Sequence, residues 1–131
     1  MERVKQISVS LENKPGKLAH VCRCLADRKV NIIALSVAET SEQSLVRLVV
    51  DKPEAAVEML KGCPLTFMQT DVLLLELPNR VGVMAELAQK LAAKRINIDF
   101  VYGSTGRGRG KTFVVLGASN LTAAEKAVGA E

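Results

Sequence analysis

Two stretches of this chain set asparagine and glycine three positions apart where a strand gives way to a helix: Asn13-x-x-Gly16 and Asn79-x-x-Gly82, 66 positions apart. A helix start leaves its first N–H groups unpaired and carries partial positive charge, so it can receive a carboxylate or another anion. Glycine at Gly16 and Gly82 removes the side chain that would keep a ligand from the backbone. Asn13 and Asn79 both donate and accept hydrogen bonds, which matches the two ends of a zwitterion. Asn31 and Asn97 start the strand after each helix and could lie close to the turn in space. Asparagine and glycine also build turns that bind nothing. Two copies in register, each with its downstream asparagine, move the reading toward a ligand.

Other chemistry finds less support. Glu12, Glu76 and Glu86 have no histidine beside them, and no base–nucleophile pairing is visible, so no catalytic residue is assigned and no enzyme is expected. His20 is the only histidine, and Cys22 and Cys24 lie two apart on a predicted helix, pointing to different faces. With Cys63 alone elsewhere, zinc of ordinary type lacks ligands, and neither metal nor cofactor is expected. Gly103-Ser104-Thr105-Gly106-Arg107-Gly108 imitates a phosphate loop, but it joins two strands and lacks the following helix and the Gly-Lys-Ser/Thr ending. Arg109-Gly110-Lys111-Thr112-Phe113-Val114-Val115-Leu116 loosely matches the RNP1 strand of an RNA-recognition motif. Such sheets stack bases on aromatic rings, and only Phe113 is present. An RNA-binding or purely structural module on Arg107, Arg109, Lys111 and Phe113 is the alternative; a solvated basic hairpin is the plainer reading.

The elements that carry these turns follow from periodicity. Ile7, Val9 and Leu11 alternate with serines, the period of a half-buried strand. Pro15 can open a helix, on which Leu18, Val21, Cys22 and Leu25 form one apolar stripe. Ile33, Leu35 and Val37 alternate, Glu39 to Ser44 reads as a hairpin, and Val46, Leu48 and Val50 return. Pro53 opens a second helix that Gly62 ends, and Leu65 to Thr70 makes a short strand. The second half repeats this with the same spacing. Leu73, Leu75 and Leu77 form a strand, and Met84, Leu87, Ala88 and Leu91 the stripe. Phe100 and Tyr102 lie on the next strand, Gly103 to Gly110 makes the hairpin, and a last helix is capped by Ser119 or Asn120. Glu131 then falls opposite Leu65, so the second copy lacks its closing strand and the strand at Val72 to Leu77 keeps an open edge.

The motifs then become specific. Glu12-Asn13-Lys14-Pro15-Gly16-Lys17-Leu18-Ala19 with Val30-Asn31-Ile32 resembles the signature of an ACT domain. Pro78-Asn79-Arg80-Val81-Gly82-Val83-Met84-Ala85 with Ile96-Asn97-Ile98 resembles it again, Val81 standing in the place of the turn proline. The resemblance implies α+β architecture: two tandem ferredoxin-like (βαββαβ) units with antiparallel sheets, residues 1–70 and 71–131. It implies ligand contacts at Asn13, Pro15, Gly16, Lys17, Leu18 and Asn31, and at Asn79, Val81, Gly82, Val83, Met84 and Asn97. It also implies a free amino acid as ligand, bound between paired domains, and control of an amino-acid pathway rather than chemistry.

At 131 residues with 48% apolar content, each half is near the size where a lone core is marginal, so packing of the halves or a homodimer is expected. A regulated enzyme is the expected partner. The net charge of +4 owes three positives to Arg107, Arg109 and Lys111, a local feature that does not call for nucleic acid. No apolar run reaches the length of a membrane span and the first residues lack a signal-peptide core, so the expected address is the cytoplasm, without a membrane partner.

Overall fold

The computed structural model of the protein describes residues 1–105 and 110–129. Arg107 and Arg109, with Gly106 and Gly108, lie outside the described residues, as does Glu131. In order the elements are β1 (Glu2–Glu12), α1 (Lys17–Asp27), β2 (Ile32–Glu39), β3 (Gln43–Val50), α2 (Pro53–Lys61), β4 (Thr66–Pro78), α3 (Val83–Ala93), β5 (Ile98–Thr105), β6 (Lys111–Ala118) and α4 (Leu121–Gly129). The chain divides into two compact units: Lys5–Thr70, and Met1–Val4 together with the residues from Asp71 on.

In the unit Lys5–Thr70 the strands run β2-β3-β1-β4 with antiparallel ladders, the order of a ferredoxin-like βαββαβ unit. Ile7 pairs with Leu48, Val9 with Val46 and Leu11 with Ser44, which turns one face of the alternation toward the helices. Val21 and Leu25 meet that face from α1, and Ala56, Met59 and Leu60 from α2, all buried in one core. Burying side chains of the size of Val21 and Leu25 stabilises by about 1.5–3 kcal/mol apiece.

The second unit repeats the plan, with Leu73, Leu75, Leu87, Leu91, Ile96, Val114 and Leu116 as its core. Its order is β1-β4-β6-β5. No strand follows α4 among the described residues. The edge expected to stand open beside Val72 to Leu77 has a neighbour: the place of a closing strand is taken by the start of β1. Arg3 adds side-chain contacts there, its guanidinium 3.4 Å from the Asp71 carboxylate and its Nη1 donating to Thr122 Oγ1 at 3.3 Å.

Several boundaries differ from the sequence reading. The two strands expected at Leu65 to Thr70 and Val72 to Leu77 are one 13-residue strand, β4, which runs through Thr70-Asp71 without a glycine or proline to break it. Pro15 does not open α1, whose first residue is Lys17. Gly103 belongs to β5 rather than to the hairpin: a Cβ there would stand 2.3 Å from the Phe113 carbonyl oxygen, so the close approach of β6 requires glycine. The second half also departs from the same spacing. α1 and α3 correspond at 66 positions, but β6 and α4 follow β3 and α2 at 68, because the second hairpin is two residues longer.

Both α1 and α3 end in the same way. Lys29 and Arg95 adopt left-handed backbone, φ 60° and 57°, while Val30 and Ile96 donate to the Leu25 and Leu91 carbonyls at 3.0 and 2.9 Å. This is a Schellman closure with lysine or arginine where glycine is usual. The apolar pairs Val30–Leu25 and Ile96–Leu91, all buried, hold it against the strain.

Candidate functional site

The duplicated turn is a type II β-turn in both copies. Lys17 N–H donates to the Lys14 carbonyl at 3.3 Å and Val83 N–H to the Arg80 carbonyl at 3.3 Å. Gly16 at φ 87°, ψ −12° and Gly82 at φ 90°, ψ −4° occupy the third position, which requires positive φ. Pro15 sits at the second position, where its ring pre-sets the backbone. Glycine is therefore demanded by the turn itself. A Cβ on either glycine would meet nothing within 4 Å, so the space above each helix start is open. Neither helix carries a side-chain cap, which leaves the Leu18 and Ala19 N–H groups facing that space uncapped.

In the first copy the turn borders a cavity of about 180 Å³. Its floor is Leu11 and Val46, fully buried, with Ser44; its wall is Leu18 and Val37; its rim is Glu12, Asn13, Lys14 and Lys17. Lys14 Nζ lies 3.0 Å and Lys17 Nζ 3.6 Å from the Glu12 carboxylate. The hydrogen bond from Lys14, with the charges of Lys14 and Lys17, holds the Glu12 carboxyl below the ordinary carboxylate range. The rim thus presents one anion and two cations within a few ångströms. Asn13 ties the turn to the hairpin: its N–H donates to the Glu42 carbonyl at 2.9 Å, and its Nδ2 to Glu39 Oε2 at 3.3 Å and the Thr40 carbonyl at 3.4 Å.

Of the residues singled out in the first copy, Asn13, Lys17 and Leu18 come together around this cavity, and Pro15 and Gly16 shape the turn without lining it. Asn31 takes another role. Its N–H donates to Asp51 Oδ1 at 2.8 Å and its carbonyl accepts from the Asp51 N–H at 3.0 Å, which fixes the start of β2 to the end of β3. Asn97 is placed alike, its carbonyl accepting from Ser119 N–H at 3.2 Å while Nδ2 donates to Asp99 Oδ1 at 3.0 Å.

The second turn has the backbone and not the chemistry. Asn79 N–H donates to the Gly110 carbonyl at 3.0 Å, as Asn13 does to Glu42. Glu12, Lys17, Val37 and Ser44 are matched by Pro78, Val83, Gly103 and Thr112. Val81 projects fully into solvent and Met84 is exposed. Arg80 Nη1 donates to Glu86 Oε1 at 2.9 Å and Nη2 to Oε2, a bidentate pair across the helix start. That bond raises the Arg80 pKa and lowers that of Glu86.

The family model described as "ACT domain pair" matches residues 2–128. The chain belongs to the ACT domain family. Protein BT0572 from Bacteroides thetaiotaomicron superposes with a TM-score of 0.90 at 30% identity, covering 96% of this chain and 86% of that one. The regulatory subunit of aspartate kinase from Thermus thermophilus, in its ligand-free form, gives a TM-score of 0.72 at 21% identity, with 98% and 91% covered. The Thermus flavus subunit gives 0.67 at 23%, with 95% and 89% covered. These two are alike in fold. No curated protein matches the sequence. Of the residues that line the cavity at the first turn, Glu12, Val37, Ser44 and Val46 were not singled out as ligand contacts from the sequence. Ser44 extends the inward row Val46, Leu48, Val50 by one step of period two, which places it on the buried face but does not by itself set it opposite Leu11.

Elsewhere, His20 Nε2 and Cys24 Sγ are 3.7 Å apart, and among the described residues no group of three or more His, Cys, Asp or Glu could hold a metal. Lys111 is paired with Glu76 at 3.4 Å, and Phe113 is exposed on β6. Among the described residues no helix is long and apolar enough to cross a bilayer.

Proposed function

We propose that this ACT protein is a non-catalytic sensor that binds a small free amino acid at its first turn and passes that occupancy to a metabolic enzyme. The observation that carries the reading is the cavity at the uncapped start of α1, rimmed by Glu12 and Lys17. The ligand's carboxylate meets the Leu18 and Ala19 N–H groups and Lys17, and its ammonium meets Glu12. A ligand can shift a partner only through a difference in its affinity for two states, so the sensor acts as a homodimer whose packing the ligand biases. The outer strand β2 supports that assembly, since Ile33, Leu35 and Val37 are exposed along it. The resemblance of fold to regulatory subunits of aspartate kinase supports an enzyme of amino-acid metabolism as the partner.

The test is a thermal-shift screen of the twenty amino acids on the intact chain and on Gly16→Ala and Gly82→Ala. Both alanines incur the same left-handed strain and meet no neighbouring atom, so they serve as matched controls. One amino acid at about a hundred times its Kd should add roughly 2.7 kcal/mol to wild type and to Gly82→Ala. It should add little to Gly16→Ala. No response from any amino acid would overturn the reading.

A further inference from the structure

Ser44 is a buried polar residue, 8% exposed, whose hydroxyl has no hydrogen-bond partner among the described residues. It lines the cavity at the first turn. A buried hydroxyl without a partner is costly, and each such group in a folded protein calls for an occupant or a water.

The depth of the cavity assigns the rest. Its charged groups, Glu12, Lys14 and Lys17, are half to two-thirds exposed and mark the mouth. Below them lie the buried Leu11 and Val46 with the half-buried Leu18, and Val37 stands exposed at the side, so the lining beneath the charges is aliphatic. Among the described residues the one side-chain polar group at the floor is the Ser44 hydroxyl, held in place because Ser44 pairs with Leu11 on one side and Glu39 on the other. An α-amino acid whose charged groups stay at the mouth must send its side chain toward that floor. The volume of about 180 Å³ limits that side chain to a few heavy atoms, since a cavity of about 150 Å³ holds a benzene.

We infer that Ser44 is the residue by which the first turn reads its ligand, selecting a small α-amino acid whose side chain carries a hydroxyl or amide over the apolar isostere. This rests on the amino-acid reading above. A site built to hydrogen-bond a ligand group rejects the analogue that lacks it, because its own polar atom is then stranded.

The experiment is titration calorimetry of the full chain and of Ser44→Ala with two isosteric pairs, threonine against valine and asparagine against leucine. Wild type should bind the polar member of at least one pair roughly 10- to 100-fold tighter. In Ser44→Ala that preference should collapse to about twofold or less, through weaker binding of the polar member. The unliganded variant should melt no lower than wild type, because it loses an unpaired group rather than a bond. A ratio of affinities between isosteres is not moved by general loosening of the site. If Ser44→Ala keeps the preference, or wild type shows none, while Gly16→Ala still abolishes binding, the role of Ser44 is wrong and the sensor reading stands. If wild type binds no amino acid, both fall.

Discussion

The first and second turns share a backbone and differ in what hangs from it. Each is a type II turn closed by Gly16 or Gly82, each leads into an uncapped helix, and each helix ends in a left-handed basic residue. Around the first stand Glu12, Lys17, Val37 and Ser44; around the second stand Pro78, Val83, Gly103 and Thr112, with Arg80 clasped to Glu86. A fold is kept by a few backbone requirements, chiefly the positive φ of one glycine, while the ligand chemistry depends on side chains that the fold leaves free. Duplication can therefore preserve the frame while the side chains around it diverge.

The same contrast recurs beneath the helices, and it yields the largest effect. Met59 on α2 is buried in the first core, and its equivalent on α4 is Ala127, which lines a groove of about 710 Å³ between α3 and α4. Met59→Ala should cost about 2–5 kcal/mol in urea unfolding, whereas Ala127→Met should be neutral or stabilising. Equal losses at both positions would break the contrast. Where the copies agree, the effects should agree. Lys29→Gly and Arg95→Gly each relieve left-handed strain and should each raise stability by up to about 1 kcal/mol. The smallest effect is acid sensitivity. Glu12 and Glu86 have pKa values lowered in the folded state, by Lys14 and by Arg80 respectively. Their contribution is present above the ordinary value of 4.5 and is lost as pH falls through the folded value. Glu12→Gln and Glu86→Gln should each make the urea midpoint decline less steeply below that pH.

The sequence carried the repeat, the turn and the ferredoxin-like order because those depend on local requirements that residue types reveal. Asn-x-x-Gly marks a turn that only glycine closes, Pro53 and Gly62 bound α2, and Asn120 caps α4 through its bond to the Ala123 N–H at 3.0 Å. Other features were hidden for physical reasons. Lysine and arginine seldom adopt positive φ, so Lys29 and Arg95 gave no sign of the helix closure. Gly103 looks like a turn residue, and only the proximity of β6 makes it a strand residue. Two extra hairpin residues shifted the equivalences after β5. The place of the missing strand is filled by the start of β1, from the far end of the sequence. The floor of the cavity depends on the register of β1 against β3, which sets Ser44 opposite Leu11 and which periodicity alone does not fix.

If the first turn, and not the second, receives an amino acid, only its backbone amides should report the ligand. The most direct measurement is an NMR titration of the intact chain that follows the backbone amides of Gly16 to Ala19 and of Gly82 to Ala85. One small amino acid should shift the first set saturably and leave the second in place. Saturable shifts at Gly82 to Ala85 with none at Gly16 to Ala19 would contradict that expectation.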